Sequence, residues 1–189
     1  NIMEKETEEL EPMFGRILRE FTTKPLNRRQ AGEFLRLGFK ECGVEVQEEV
    51  VSEAIDVLGT ITGWLVEFGR EYVLEYRASG KVDHRNIIES VVERSKKIVF
   101  GEIARILRGK KRPDIYIRIL KLIAMYPDIS LSELSRALNR RKQTVRQYLD
   151  ILIQRNIVMA QNGRYRIIDP LYLKGILDPN FEREVKIRL

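Results

Sequence analysis

One cysteine, one histidine and one tryptophan in 189 residues exclude several chemistries before any pattern is read. Cys42 has no partner within the chain for a disulfide and no second thiol for a zinc site, which fits a reducing cytoplasm. His84 stands alone as well, so a histidine-based metal or acid–base pair is absent, and its place before a long helical stretch reads as a surface or capping residue. A phosphate-binding loop needs GxxxxGK followed by Ser or Thr. The nearest approach, Gly101 with Gly109-Lys110, has the wrong spacing and continues with Lys111. Adjacent carboxylates such as Glu48-Glu49 fall on solvent faces. No metal or cofactor is called, and the chain by itself is expected not to be an enzyme. Apolar runs long enough to cross a bilayer are lacking, so no membrane partner is expected, and the acidic start MEKETEELE does not have the basic–apolar order of a signal peptide. Asn1 and Ile2 precede Met3, which is expected to begin the chain proper.

What is abundant is charge. Asp, Glu, Lys and Arg make up 33% of the residues and the hydrophobic share is 43%, which is the composition of a folded globular chain. Plentiful Lys, Arg and Glu with scarce Cys and His is also the balance that thermophilic proteins favour. The net charge of +6 is unevenly placed. Residues 112–170 hold 11 Lys/Arg against 5 Asp/Glu, whereas residues 1–111 hold 19 against 20. The excess therefore belongs to one segment, and such a segment attracts polyanions.

That segment has its own pattern. Ile115, Ile119, Leu122 and Ile123 repeat at helical spacing, and Ser130 with Glu133 forms a capping box before Leu131, Leu134 and Leu138. A second helix, 142–155, turns Val145, Leu149, Leu152 and Ile153 inward. Two short strands, within 157–168, flank Asn162-Gly163, the strongest local hairpin signal because both positions accept positive φ. Helix, turn, basic helix and hairpin is the order of a winged helix-turn-helix, and it proposes double-stranded DNA as partner. Lys142, Gln143, Thr144, Arg146 and Gln147 would face the major groove, where Arg can bond guanine and Gln adenine in bidentate fashion. Arg140 and Arg141 before the helix, with Arg164 and Arg166 on the wing, suit phosphate contacts. Arg141 stands where Ser or Thr would normally cap the helix, and a winged helix can also serve only to pack against protein. Both readings stay open at this point.

Residues 1–12 are acidic and carry little pattern. From Asn27 to Gly43, Ala31, Phe34, Leu35, Gly38 and Phe39 share one helical face. A second helix carries Val50, Val51, Ile55 and Leu58 and closes at Gly59-Thr60, and a third carries Trp64, Leu65, Phe68, Tyr72 and Val73. A long helix capped by Asp83 runs to Leu107 with Ile87, Ile88, Val91, Val92, Ile98, Val99, Ile103 and Ile106 on its stripe. Gly109 to Pro113 then breaks the helix, and the domain boundary is expected there. The glycines of GTITGWL are expected to let two helices approach closely, with Trp64 as a core anchor.

Three phrases together, MFGRILREFTTKPLNRRQAGEFLRLGFKECG, GTITGWLVEFG and the ending GRYRIIDPLY, resemble the C-terminal region of archaeal AAA+/STAND-type ATPases from about Met13 to Tyr172. The resemblance implies a helical lid subdomain over 13–109, a winged helix over 113–172 and a tail over 173–189. The family's ATP-binding P-loop core is not present, so the chain is either a fragment or a free-standing relative. Gly59, Thr62, Gly63 and Trp64 fall on the lid motif that faces nucleotide in the family, with Thr62 standing where the family has proline. The overall expectation is a mainly α chain: a lid-like helical bundle followed by a winged helix-turn-helix with a small β-hairpin wing. Its expected role is DNA binding of the transcription-regulator kind, the alternative being a regulatory arm that packs on a P-loop core or partner protein. A homodimer formed through the bundle is a third option.

Overall fold

The computed structural model describes residues 25–189, so the acidic segment 1–12 and the first part of the expected bundle, 13–24, lie outside the described residues. The chain is mainly α with one small antiparallel sheet. Four helices come first: α1 (Arg28–Glu41), α2 (Glu48–Leu58), α3 (Thr62–Ser79) and α4 (His84–Leu107). Each start has a chemical cause. Asn27 accepts from the Gln30 N–H at 2.9 Å while Gln30 Oε1 accepts from the Asn27 N–H at 3.0 Å, which satisfies two otherwise orphaned donors of α1. Asp83 does the same service for Arg85 and Asn86 at the head of α4. Gly80, at φ 68°, ends α3 in the left-handed conformation that a glycine tolerates without penalty.

The second half begins with α5 (Pro113–Met125), followed by β1 (Ile129–Ser130), α6 (Leu131–Leu138), α7 (Lys142–Gln154), β2 (Val158–Gln161) and β3 (Arg164–Ile167). The sheet order is β1-β3-β2, with Ile129 opposite Tyr165 and Ala160 also opposite Tyr165 on the other side. Asn162 and Gly163 both take positive φ, 50° and 72°, as a two-residue hairpin of this twist requires. The expected capping box at α6 is present in both directions. This is the winged-helix order. The two-residue β1 carries no pattern of its own and exists because β3 offers it an edge.

Two features differ from the sequence expectation. Residues 173–189 were expected as a tail, but they complete α8 (Pro170–Leu177) and form α9 (Phe181–Arg188), which pack along α4. Phe181, Val185 and Ile176 are almost wholly buried, and the Phe181 ring lies 5.9 Å from that of Phe100. The apolar cores also do not divide at 109–113. One core joins α1, α2 and α3 to Ile87, Ile88 and Val91 of α4; the other joins the winged helix to Val99, Phe100, Ile103, Ala104 and Leu107 of the same helix. With 24 residues, or about 36 Å at 1.5 Å per residue, α4 is a beam shared between the two cores. Phe34 and Ile98, placed on buried faces by their spacing, are instead 38% and 53% exposed, because no described neighbour covers that edge of either helix. Among the described residues no helix is long and apolar enough to cross a membrane.

Replacing Phe181 by Ala removes a fully buried ring from the second core and is expected to cost about 3–5 kcal/mol, measurable as a lower urea midpoint at unchanged slope. A variant as stable as the parent would restore the reading of 173–189 as a loose tail.

Candidate nucleic-acid interface

The turn from α6 into α7 is built from short-range bonds. Asn139 takes φ 50° and ψ 52°, a left-handed conformation that asparagine tolerates, and reverses the chain. The Arg140 N–H then donates to the Ser135 carbonyl at 3.0 Å while the Ser135 hydroxyl donates to the Arg140 carbonyl. Arg141 occupies the cap of α7 with its backbone only, its carbonyl accepting from Val145 N–H at 3.1 Å. Val145, Leu149 and Leu152 are fully buried, and Tyr148 meets Tyr116 of α5 edge to face at 4.7 Å. One face of α7 is thereby anchored, and its orientation is set by packing.

The opposite face is open. Arg140, Arg141, Lys142, Gln143, Arg146 and Gln147 are exposed and Thr144 is half-buried. None of these four cations forms an ion pair with a described residue, whereas most arginines of α1 to α4 do. Carboxylates within reach would neutralise such a face. The lack of ion pairs with described residues, with Asp150 the one acidic residue on α7, leaves a positive field at the N-terminal half of the helix, where the helix dipole adds to it.

The wing arginines are less free than their spacing implies. Arg164 donates to the Asp128 carbonyl at 3.1 Å and lies 3.7 Å from Glu133 Oε2. Glu133 itself is held below the ordinary carboxylate range, chiefly by the Ser130 hydroxyl and then by the Ser130 N–H. Arg166 is half-buried, bonded to Gln161 Oε1, with its Nε buried and lacking a partner among the described residues. The wing arginines can therefore offer a phosphate the N–H donors these bonds leave over.

Of the four residues expected to form a lid motif, Gly59 and Trp64 lie at the joint between the two cores. Gly59 ends α2 at φ 81° and ψ −160°, and a Cβ there would stand 2.8 Å from Pro170 Cγ. The indole Nε1 of Trp64 donates to Asp169 Oδ2 at 2.9 Å. Thr62 opens α3 and is exposed, and Gly63 has open space where a side chain would be, so the close approach expected of these glycines belongs to Gly59 alone. Asp169 also caps α8, accepting from Leu171 N–H at 2.7 Å. Burial pushes its carboxyl up, against the opposing bonds from Trp64, Leu171 and Tyr172. Beside it the Tyr172 hydroxyl donates to Glu102, and burial with that carboxylate drives the phenol far above its usual range. Lys174 reaches back to the Val57 carbonyl at 3.2 Å and is lowered by burial. The sequence held no signal for this joint: Trp64 and Asp169 are 105 positions apart.

Two outcomes test the joint. Gly59→Ala forces an alanine into a nearly glycine-only backbone region and against Pro170, which is expected to cost about 1–3 kcal/mol from the backbone alone. For Asp169, a raised carboxyl means that the charged form costs stability above its folded-state value, and the cost is relieved as pH falls through that value. The parent should therefore gain stability relative to Asp169→Asn between neutral pH and the ordinary aspartate value of 3.8. A difference in urea midpoint that stays flat with pH would contradict the buried-charge account.

With this geometry in view, a solved structure offers a comparison. The chain is similar to a Walker-type ATPase of Pyrococcus abyssi with a TM-score of 0.66 and 28% identity, over 81% of this chain and 42% of that one. It thus spans less than half of that ATPase's length. No protein-family model matches the chain, and no curated protein does. The residues that meet at the two sites above belong to a mainly helical chain, with a winged helix in its second half, that is similar to part of an archaeal Walker-type ATPase.

Proposed function

We propose that the chain binds double-stranded DNA through α7 and the wing. The observation that carries this reading is the open face of α7: Arg140, Arg141, Lys142 and Arg146 are exposed and form no ion pair with a described residue, Asp150 being the one acidic residue on the helix. Gln143 and Gln147, exposed between these cations, can each bond an adenine edge, while Arg146 can bond guanine. Arg140 and Arg141, at the turn, suit the phosphates on either side. Backbone neutralisation supplies most of the affinity in such an arrangement, so sequence preference would rest on the two glutamines and Arg146.

The similarity to a Walker-type ATPase supports a second reading from a different class. In it, the chain is the regulatory part of such an ATPase, and the same basic face packs on a P-loop core or partner protein. The fit of Gly59 and Trp64 against Asp169-Pro170 suits this reading, because it ties the bundle to the winged helix and lets a partner act on both. A homodimer through the bundle is compatible with either.

Fluorescence anisotropy with labelled duplex at low salt separates the readings. Binding is expected with a log–log salt slope of about −0.9 for each phosphate neutralised, and the triple change Arg140→Glu, Arg141→Glu, Lys142→Glu should abolish it. Single changes of Arg141 or Lys142 should reduce the slope by about 1 each without altering sequence preference. Parent and triple variant binding alike would remove DNA from α7 and favour the ATPase-arm reading. That reading is then tested by nucleotide-dependent association with a separately supplied P-loop protein.

A further inference from the structure

A second cationic site lies at the far end of α7, where it meets α4. The last turn of α4, the loop after it and the C-terminal end of α7 enclose a cleft of about 550 Å³. Arg105, Arg108, Lys110 and Arg155 line it, with Ile106 as an apolar patch. Glu102 is the one carboxylate among the lining residues, and its charge is already engaged by the Tyr172 hydroxyl and, at 3.6 Å, by Arg105. Arg108 makes one bond, to the Arg188 carbonyl, and neither it nor Lys110 nor Arg155 forms an ion pair with any described residue. Next to Arg155, Asn156 takes φ 56° and lines the same rim.

Cations near helix C-termini are common because each terminus carries about half a negative charge. Here three termini meet four cations and one committed carboxylate: those of α4 and α7 and, through the bond from Arg108 to the Arg188 carbonyl, that of α9. Four cations less that carboxylate and about one and a half charges on the termini leave about one and a half positive charges uncompensated. Each guanidinium among them presents paired N–H donors at the spacing that phosphate oxygens accept.

We propose that this cleft binds a small polyphosphate anion, a diphosphate group being the recognised element, and that the ligand bridges α4 to α7. It is not part of the duplex face. α7 is 13 residues long, which separates its two ends by about 18 Å, so that the cleft and the duplex face can be altered one at a time. A bound diphosphate would exchange its charge-assisted bonds between Arg105, Arg108 and Lys110 on one side and Arg155 on the other, holding the C-terminal end of α7 against the beam.

Calorimetric titration of the whole chain with inorganic diphosphate at low ionic strength tests this, with sulfate as the control anion. Saturable one-to-one binding is expected, stronger than for sulfate, with the pair Lys110→Glu and Arg155→Glu losing about tenfold or more in affinity. The milder pair Lys110→Gln and Arg155→Gln should keep the fold, checked by circular dichroism, and still weaken diphosphate by several fold. Arg141→Glu with Lys142→Glu should leave diphosphate binding unchanged. The proposal is overturned by uptake that does not saturate, by equal affinity for sulfate, or by equal losses from changes at the two ends of α7. Loss of duplex affinity in the Lys110→Gln, Arg155→Gln pair would also overturn it, by making the cleft part of a DNA surface. Failure of duplex binding with diphosphate binding intact would sink only the DNA reading.

Discussion

The fold depends on the shared burial of α4. Its N-terminal half supplies Ile87, Ile88 and Val91 to one core, and its C-terminal half supplies Val99, Phe100, Ile103 and Leu107 to the other. Neither core closes without it. α8 braces the same junction from outside, giving Leu171 to the first core and Ile176 to the second. Gly175 lets α8 lie so close that a Cβ there would stand 3.0 Å from Val99 Cγ1. Apolar burial supplies the free energy of this joint, at about 25 cal/mol for each Å² removed from water. The bonds from Trp64 to Asp169, Tyr172 to Glu102 and Lys174 to Val57 fix its geometry instead, because buried polar groups tolerate few arrangements that leave all of them paired.

This joint governs what the basic helix can do. α7 is held by Val145, Leu149 and Leu152 inside the second core, and that core is continuous with α4. Its exposed N-terminal face is therefore presented in a fixed direction relative to the bundle. A surface so mounted suits a rigid duplex, and it equally suits delivering a movement of the bundle to a protein neighbour. The charge contrast between halves belongs to the same logic. Arginines of α1 to α4 are mostly spent in ion pairs such as Arg28–Asp56, Arg36–Glu48 and Arg94–Glu71, whereas those of the α6–α7 turn form no ion pair with a described residue.

Much of this was legible in the residues, and which parts were follows from the range of the forces involved. The capping boxes at Asn27 and Ser130, the hairpin at Asn162-Gly163 and the break at Gly109 to Pro113 act over a few positions, so the local sequence encodes them in full. The α7 face was legible too, since helical spacing alone separates Val145 and Leu149 from Lys142 and Arg146. Phe34 and Ile98 misled because an apolar stripe marks a face without telling how far a neighbour covers it. α8 and α9, at 8 residues each, are too short for periodicity to stand out, and their burial is supplied by α4.

The sequence by itself determined the helix-rich composition, the order of elements from α1 to the β2–β3 hairpin apart from β1, the winged-helix module and the place of the excess positive charge. Each of these rests on backbone preference, side-chain periodicity or formal charge, which are properties of short stretches. Only the tertiary structure decided that one helix serves two cores, that Trp64 bonds Asp169, that Gly59 yields to Pro170 and that Arg164 and Arg166 are tied down. Those facts join residues up to 111 positions apart, between Gly59 and Pro170. Contacts of that range depend on how whole elements pack, and no local pattern carries them.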